Sequence, residues 1–246
     1  LPAGVLNVVP GRGSSVGGRI ARHPDIDVLA FTGSTAVAKQ LLIDSGQSNM
    51  KRVALEAGGK SANLVFADAD LPAAAAKAAF GAFYNQGQVC SANSRILVER
   101  SAHDEFVALL IEASRAYEPS DPLSGAEGNG SLVSAAHADA VSEAISTGAR
   151  DGSLVAGGER VMIAGSDAYL RPAIVTGLGA DHALHREEVF GPLVAVLPFD
   201  TEDEAIALAN ATEYGLAASL WTNDLSRAYR LSDRLVAGTV SVNTVD

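Results

Sequence analysis

The sequence predicts an α/β protein with a largely parallel sheet, and three observations carry that reading. Short apolar runs alternate with amphipathic or alanine-rich stretches, the pattern of repeated strand–helix–strand units. Gly, Pro and helix-capping residues punctuate the junctions. The chain has 246 residues, 48% of them hydrophobic and 19% charged, which suits a sizeable buried core rather than disorder.

The elements follow in order. Val5 to Val9 reads as a short buried strand closed by Pro10-Gly11, and Ser14 or Ser15 as the cap of a short helix through Arg22. His23-Pro24-Asp25 breaks that helix. Asp27 to Phe31 is the next strand, Thr32-Gly33-Ser34-Thr35 turns into a helix over about 36–45, and Lys51 to Leu55 is a third strand. Glu56 to Lys60 leaves it as a loop, with Gly58-Gly59 the best hinge. The domain boundary is placed there, giving domains 1–57 and 58–246.

The second series opens with a strand from Asn63 to Phe66. An alanine-rich helix begins at Asp68 to Asp70 and runs through about Phe83. A polar loop, Asn85-Gln86-Gly87-Gln88-Val89-Cys90, leads to a strand from Arg95 to Glu99. Ser101 to Asp104 opens an amphipathic helix, and 119–130 is a surface excursion. Ser134 to Arg150 is helical, Leu170 to Val175 extended and Leu193 to Phe199 a strand. Thr201, with Glu204 three residues on, has the capping-box spacing. Leu216 to Trp221 is a strand, Asp224 to Leu235 a helix, and Thr239 to Val242 a last strand.

Charge and cysteine usage exclude several functions. Lys plus Arg number 18 against 29 for Asp plus Glu, a formal net charge of −11, which opposes a nucleic-acid partner. A single Cys excludes an intrachain disulfide and a thiolate cluster. The histidines at 23, 103, 137, 182 and 185 show no ligand spacing, so no metal site is expected. No apolar run reaches the ~18 residues of a membrane span. No leader opens the chain, so the expected location is cytoplasmic. Leu1 in place of an initiator Met, and a stop directly after an apolar run, read as a segment of a longer protein.

Two residues stand out chemically. Cys90 lies in a segment too polar and too glycine-bearing for a core, where a thiolate can attack a carbonyl carbon while N–H donors hold the oxyanion. A small buried hydrophobe is the plainer reading. Glu56 ends an apolar strand, at the carboxyl edge where open α/β sheets bind ligands, and suits a general base. A solvated loop charge, or a partner of Lys60, is the rival reading. Gly11 to Gly17 falls one residue from the dinucleotide fingerprint and equally suits a plain turn. Gly33-Ser34-Thr35 places open helix N–H groups where a phosphate can rest, or is an ordinary cap.

Together these motifs resemble the aldehyde dehydrogenase superfamily. The resemblance rests on Leu55-Glu56-Ala57-Gly58-Gly59-Lys60-Ser61, Asn85 to Cys90, Phe31 to Thr35 and Glu187-Glu188-Val189-Phe190-Gly191-Pro192. Glu213-Tyr214-Gly215-Leu216, Ala237-Gly238-Thr239 and Val242-Asn243 complete it. Ser48-Asn49-Met50-Lys51-Arg52 and the Glu-Ala-Gly-Gly-Lys variant are most similar to γ-glutamyl-γ-aminobutyraldehyde dehydrogenases.

The resemblance implies the end of a Rossmann-type cofactor domain followed by an α/β catalytic domain lacking its C-terminal end. It implies oxidation of an aldehyde to a carboxylic acid with NAD or NADP. Cys90 is then the nucleophile and an oxyanion donor through its main-chain N–H, and Glu56 the base that activates water. Gly33, Ser34, Ala57, Glu188 and Phe190 are the implied cofactor contacts, and Asn243 resembles an asparagine that buttresses the site. A homodimer or homotetramer of the full-length protein is also implied. Ala38 and Gly130-Ser131 depart from the family pattern, and family members are about twice this length. Cofactor-independent thiol ester cleavage or acyl transfer, and a truncated non-catalytic module, are the alternatives.

Overall fold

The computed structural model describes residues 1–245. Contacts divide the chain into two compact units, Leu1–Gly58 and Gly59–Asp246.

In the first unit the elements are α1 (Gly18–Arg22), β1 (Val28–Thr32), α2 (Thr35–Gly46) and β2 (Arg52–Glu56). β1 and β2 form a parallel pair in the register Val28↔Arg52 to Thr32↔Glu56. Ser34 caps α2, its Oγ accepting the Val37 N–H at 3.4 Å. The Ser48-Asn49-Met50-Lys51-Arg52 segment is a structural clamp. Asn49 Nδ2 donates to the carbonyls of Pro24 (2.7 Å) and Ile26 (3.0 Å). Buried Lys51 donates to the Ala21 carbonyl at 2.6 Å and to Ser48 Oγ at 3.1 Å, so its charge lies against the open carbonyls ending α1.

Two expectations for this unit fail. Val5 to Val9 forms no strand, and Val5, Leu6, Val8 and Val9 are all exposed. A strand exists only in a ladder, and no described segment pairs with this one. Gly13–Gly17 forms a wide π-type turn, and no serine side chain caps it. Ser15 Oγ instead donates to the Arg12 carbonyl.

The second unit runs β3 (Ala62–Val65), α3 (Leu71–Phe83), β4 (Arg95–Glu99), α4 (His103–Ser114), α5 (Ala135–Asp151), β5 (Ser153–Ala156), β6 (Arg160–Ile163) and β7 (Ser166–Leu170). It continues through β8 (Ala173–Thr176), α6 (Ala183–Arg186), β9 (Leu193–Phe199), α7 (Glu202–Ala209), β10 (Ala217–Trp221), α8 (Leu225–Ser232) and β11 (Thr239–Val242). A seven-stranded sheet has the order β11-β10-β3-β4-β9-β8-β5, and β6-β7 is a separate hairpin. Every neighbour in the sheet is parallel except β5 on β8.

Strand alternation sends side chains to the two faces of the sheet, where three cores form. Val65, Ile96, Val98, Val194 and Val196 pack with α3 and α4. Leu64, Leu97 and Leu220 pack with α7 and α8, while α5 closes over β8 and β9 through Val141 and Ile145. Burial on both faces is why these strands read as continuous apolar runs. Arg171-Pro172 splits the extended stretch expected over 170–175 into β7 and β8, since Pro cannot donate to a ladder.

Candidate active site

The loop that carries Cys90 begins where α3 ends. Asn85, Gln86 and Gly87 have φ of 50°, 56° and 67°, three successive residues in a region that L side chains avoid. Gly87 is buried, and a Cβ there would overlap the Gly191 carbonyl. The turn is fixed by Asn85 Nδ2 donating to the Gln88 carbonyl at 3.1 Å and by Gln88 Oε1 accepting the Val133 N–H at 3.0 Å. Beyond Cys90, the Asn93 N–H reaches the Gly81 carbonyl of α3 at 3.0 Å and Asn93 Nδ2 the Ser219 hydroxyl at 3.4 Å.

Cys90 is a free, half-buried thiol between these anchors. No described residue accepts its main-chain N–H. It precedes β4, so it stands at the amino edge of the seven-stranded sheet rather than the carboxyl edge. Cys90 therefore lacks the carboxyl-edge placement that Glu56 has on its own strand pair.

Glu56 is the last residue of β2, with an exposed side chain and a main-chain carbonyl that accepts the Gly33 N–H at 3.1 Å. Gly33 lies against the Phe31 ring, where a Cβ would come within 2.5 Å of Cζ. Gly33, Ser34 and Glu56 thus meet at one end of the β1–β2 pair, with Ala57 next in the chain.

Glu188 and Phe190 lie in the second unit. Glu188 is half-buried, and its Oε1 accepts the Gly59 N–H at 3.1 Å. Phe190 has φ 57° and a ring 39% exposed. Its carbonyl accepts from His137 Nε2 at 2.8 Å. Glu187, Glu188 and Val189 line one wall of a cleft of about 340 Å³, faced by Glu143 and Thr147 of α5 and by His182. Asn243 directly follows β11 and exchanges two hydrogen bonds with the main chain of Thr222, Oδ1 accepting and Nδ2 donating, each at 3.0 Å. Both of its amide groups are occupied in tying β11 to β10.

A buried cationic group went unnoticed in the sequence. The Arg95 guanidinium donates to the Lys60 carbonyl (2.9 Å), the Leu208 carbonyl (2.8 Å) and the Ala209 carbonyl. Burial lowers its pKa to about 10. Burial, then the Arg95 charge, lowers Lys60 to about 7, against the pull of Glu188 and Glu187. His185, 3% exposed and with neither ring nitrogen partnered, is lowered to about 4 by burial, Lys60, Arg95 and His182.

The family model described as the aldehyde dehydrogenase family matches residues 1–246. The chain belongs to the aldehyde dehydrogenase family. It is 52% identical over 99% of its length to the NADP/NAD-dependent aldehyde dehydrogenase PuuC of Escherichia coli, covering 49% of that protein. Among solved structures it superposes with a TM-score of 0.97 on a γ-glutamyl-γ-aminobutyraldehyde dehydrogenase from Burkholderia cenocepacia, at 46% identity. The same score is reached, at 50% identity, with the indole-3-acetaldehyde dehydrogenase AldA of P. syringae in complex with NAD+ and IAA. All of this chain and 50% of each solved chain are covered. The chain thus spans about half the length of the aldehyde dehydrogenases it matches.

Proposed function

We propose that the protein carrying this chain oxidises an aldehyde to a carboxylic acid with NAD or NADP, Cys90 acting as nucleophile and Glu56 as base. The observation that carries the reading is the Cys90 loop. A half-buried free thiol with an open main-chain N–H is held by hydrogen bonds on both sides and preceded by a strained turn. Strain retained in such a loop marks a site rather than a packing element.

The residues present suit a dinucleotide. Ser34 caps α2 and takes the Val37 N–H, which leaves the N–H groups of Thr35 and Ala36 at the helix start for an anion, while Gly33 makes the turn against the Phe31 ring. Glu188 keeps one carboxylate oxygen without an acceptor role among the described residues, suited to a ribose hydroxyl, with Phe190 and Ala57 as further contacts. NAD(P), when bound, supplies the hydride acceptor.

The chain's own residues do the rest. The Cys90 sulfur forms a bond to the aldehyde carbon as the carbonyl electron pair moves to oxygen, and the Cys90 N–H stabilises that oxyanion. The tether fixes the orientation from which hydride departs, leaving a thioester. Glu56 then takes a proton from water as the water attacks the thioester. The C–S bond breaks, and carboxylic acid and thiolate are released.

Aldehyde-dependent NAD(P)H formation by the full-length protein is the test. The panel should include γ-glutamyl-γ-aminobutyraldehyde and indole-3-acetaldehyde, which relatives are named for. Cys90→Ala is expected to abolish turnover. Turnover retained in that variant refutes the nucleophile, and ester cleavage with no nucleotide reduction replaces the dehydrogenase by a thiol esterase.

A further inference from the structure

Three loops of the second unit cross at two glycines. The Gly59 N–H donates to Glu188 Oε1 at 3.1 Å. The Cα of the same residue is packed on the Cys90 carbonyl so closely that a Cβ would overlap it, with Leu216 Cβ 3.3 Å from that position. Farther along, Gly87 of the cysteine loop is packed equally closely on the Gly191 carbonyl. The segment 188–191 therefore braces the Cys90 loop twice, once through Gly59 and once directly. It is itself held by His137 on the Phe190 carbonyl and kinked by the positive φ of Phe190. Gly59, Gly87 and Lys60 are buried, and the Gly59–Glu188 hydrogen bond is itself partly buried. A hydrogen bond to a carboxylate in such surroundings is stronger than a neutral one.

We propose that Glu188 is a positioning residue for the Cys90 thiol, acting through the Gly59 main chain in the absence of any nucleotide. The proposal rests on the reading of Cys90 as nucleophile and adds to it a role for Glu188 that does not depend on ribose. Without the carboxylate, the Gly59 N–H loses its acceptor and the Cys90 carbonyl loses a fixed neighbour. The cysteine loop then samples more conformations, and fewer of them present sulfur to an electrophile.

The test is the rate of Cys90 alkylation by iodoacetamide in the full-length, nucleotide-free protein, followed by mass spectrometry across pH. Glu188→Gln and Glu188→Ala both remove the negative charge, but only Gln keeps an oxygen that can accept from Gly59. Comparison of the two therefore separates position from charge. Glu188→Ala is expected to react about fivefold more slowly than Glu188→Gln, the scale of one net hydrogen bond. Hydrogen exchange at the Gly59 amide should quicken in Ala alone. Equal alkylation rates and equal Gly59 exchange in the two variants overturn the proposal. Should Glu188→Ala not fold, Glu188→Met, uncharged, of similar length and without an oxygen to accept from Gly59, takes its place under the same criteria. Failure of the underlying reading is separately visible, because Cys90→Ala would then retain dehydrogenase turnover.

Discussion

Glu56 ends a strand with its side chain in solvent. Its proposed task is confined to thioester hydrolysis. Glu56→Gln preserves shape and removes the proton acceptor, so hydride transfer should persist while deacylation slows by roughly 10²–10⁴-fold. Rapid mixing of aldehyde with the NAD(P)-loaded variant should give a burst of reduced nucleotide followed by slow turnover, and a variant slow in both phases contradicts the assignment. Cys90 and Glu56 stand out in the sequence as candidates because each sits in a context its residue type ordinarily avoids. The burial of Lys60 and Arg95 beside strand starts, and of His185 in the four-residue α6, was hidden, because polar residues in such places read as surface until the packing around them is known. The left-handed turn at Asn85 and Gln86 was hidden too, since only its glycine announces positive φ.

At the level of elements, Arg95 ties three of them together. Its guanidinium takes the Lys60 carbonyl before β3 and the Leu208 and Ala209 carbonyls that end α7, a cation at a helix C-terminus. Arg95→Met fills similar space but leaves these carbonyls without their donor, so a loss of about 3 kcal/mol is expected. Urea unfolding followed by the single tryptophan, Trp221 of the same sheet, measures it, and an unchanged midpoint refutes it. Strands buried on both faces were read closely. β4 and β9 fall on the residues expected, as does the more exposed edge strand β11, and the Thr201 cap accepts the Glu204 N–H at 3.2 Å. Glu204 returns its carboxylate to the Asp200 N–H at 2.7 Å, one residue earlier than the usual capping box. The short strands β5 and β6 have no counterpart among the expected elements, being exposed or half-buried, and β7 was expected only at its last residue, Leu170, although Ala168, Tyr169 and Leu170 are all buried. Val5 to Val9 failed in the opposite sense: its apolar pattern is that of a strand, but a strand also needs a neighbour, which pattern alone does not supply.

Over the whole molecule the net charge is −11, yet the interior of the second unit concentrates positive groups, and its stability should follow their titration. Lys60 has its pKa lowered from 10.5 to about 7. Between those values the unfolded chain holds a proton that the folded chain has released, so stability rises with pH across that window. The penalty of a buried ammonium is fully present below it. Lys60→Met removes this slope. The stability of the native protein relative to the variant should therefore climb from pH 7 to 10.5, by roughly 5 kcal/mol at most. His185, lowered from 6.5 to about 4, acts with the same sign in a lower window. The unfolded chain takes up the proton first, so stability falls as pH drops from 6.5 toward 4, by roughly 3 kcal/mol at most, and His185→Leu should flatten that limb. Urea midpoints read from Trp221 fluorescence at intervals from pH 4 to pH 10 give both differences. Curves for Lys60→Met and His185→Leu that run parallel to the native curve throughout would place these two groups in contact with water rather than in the sealed interior described.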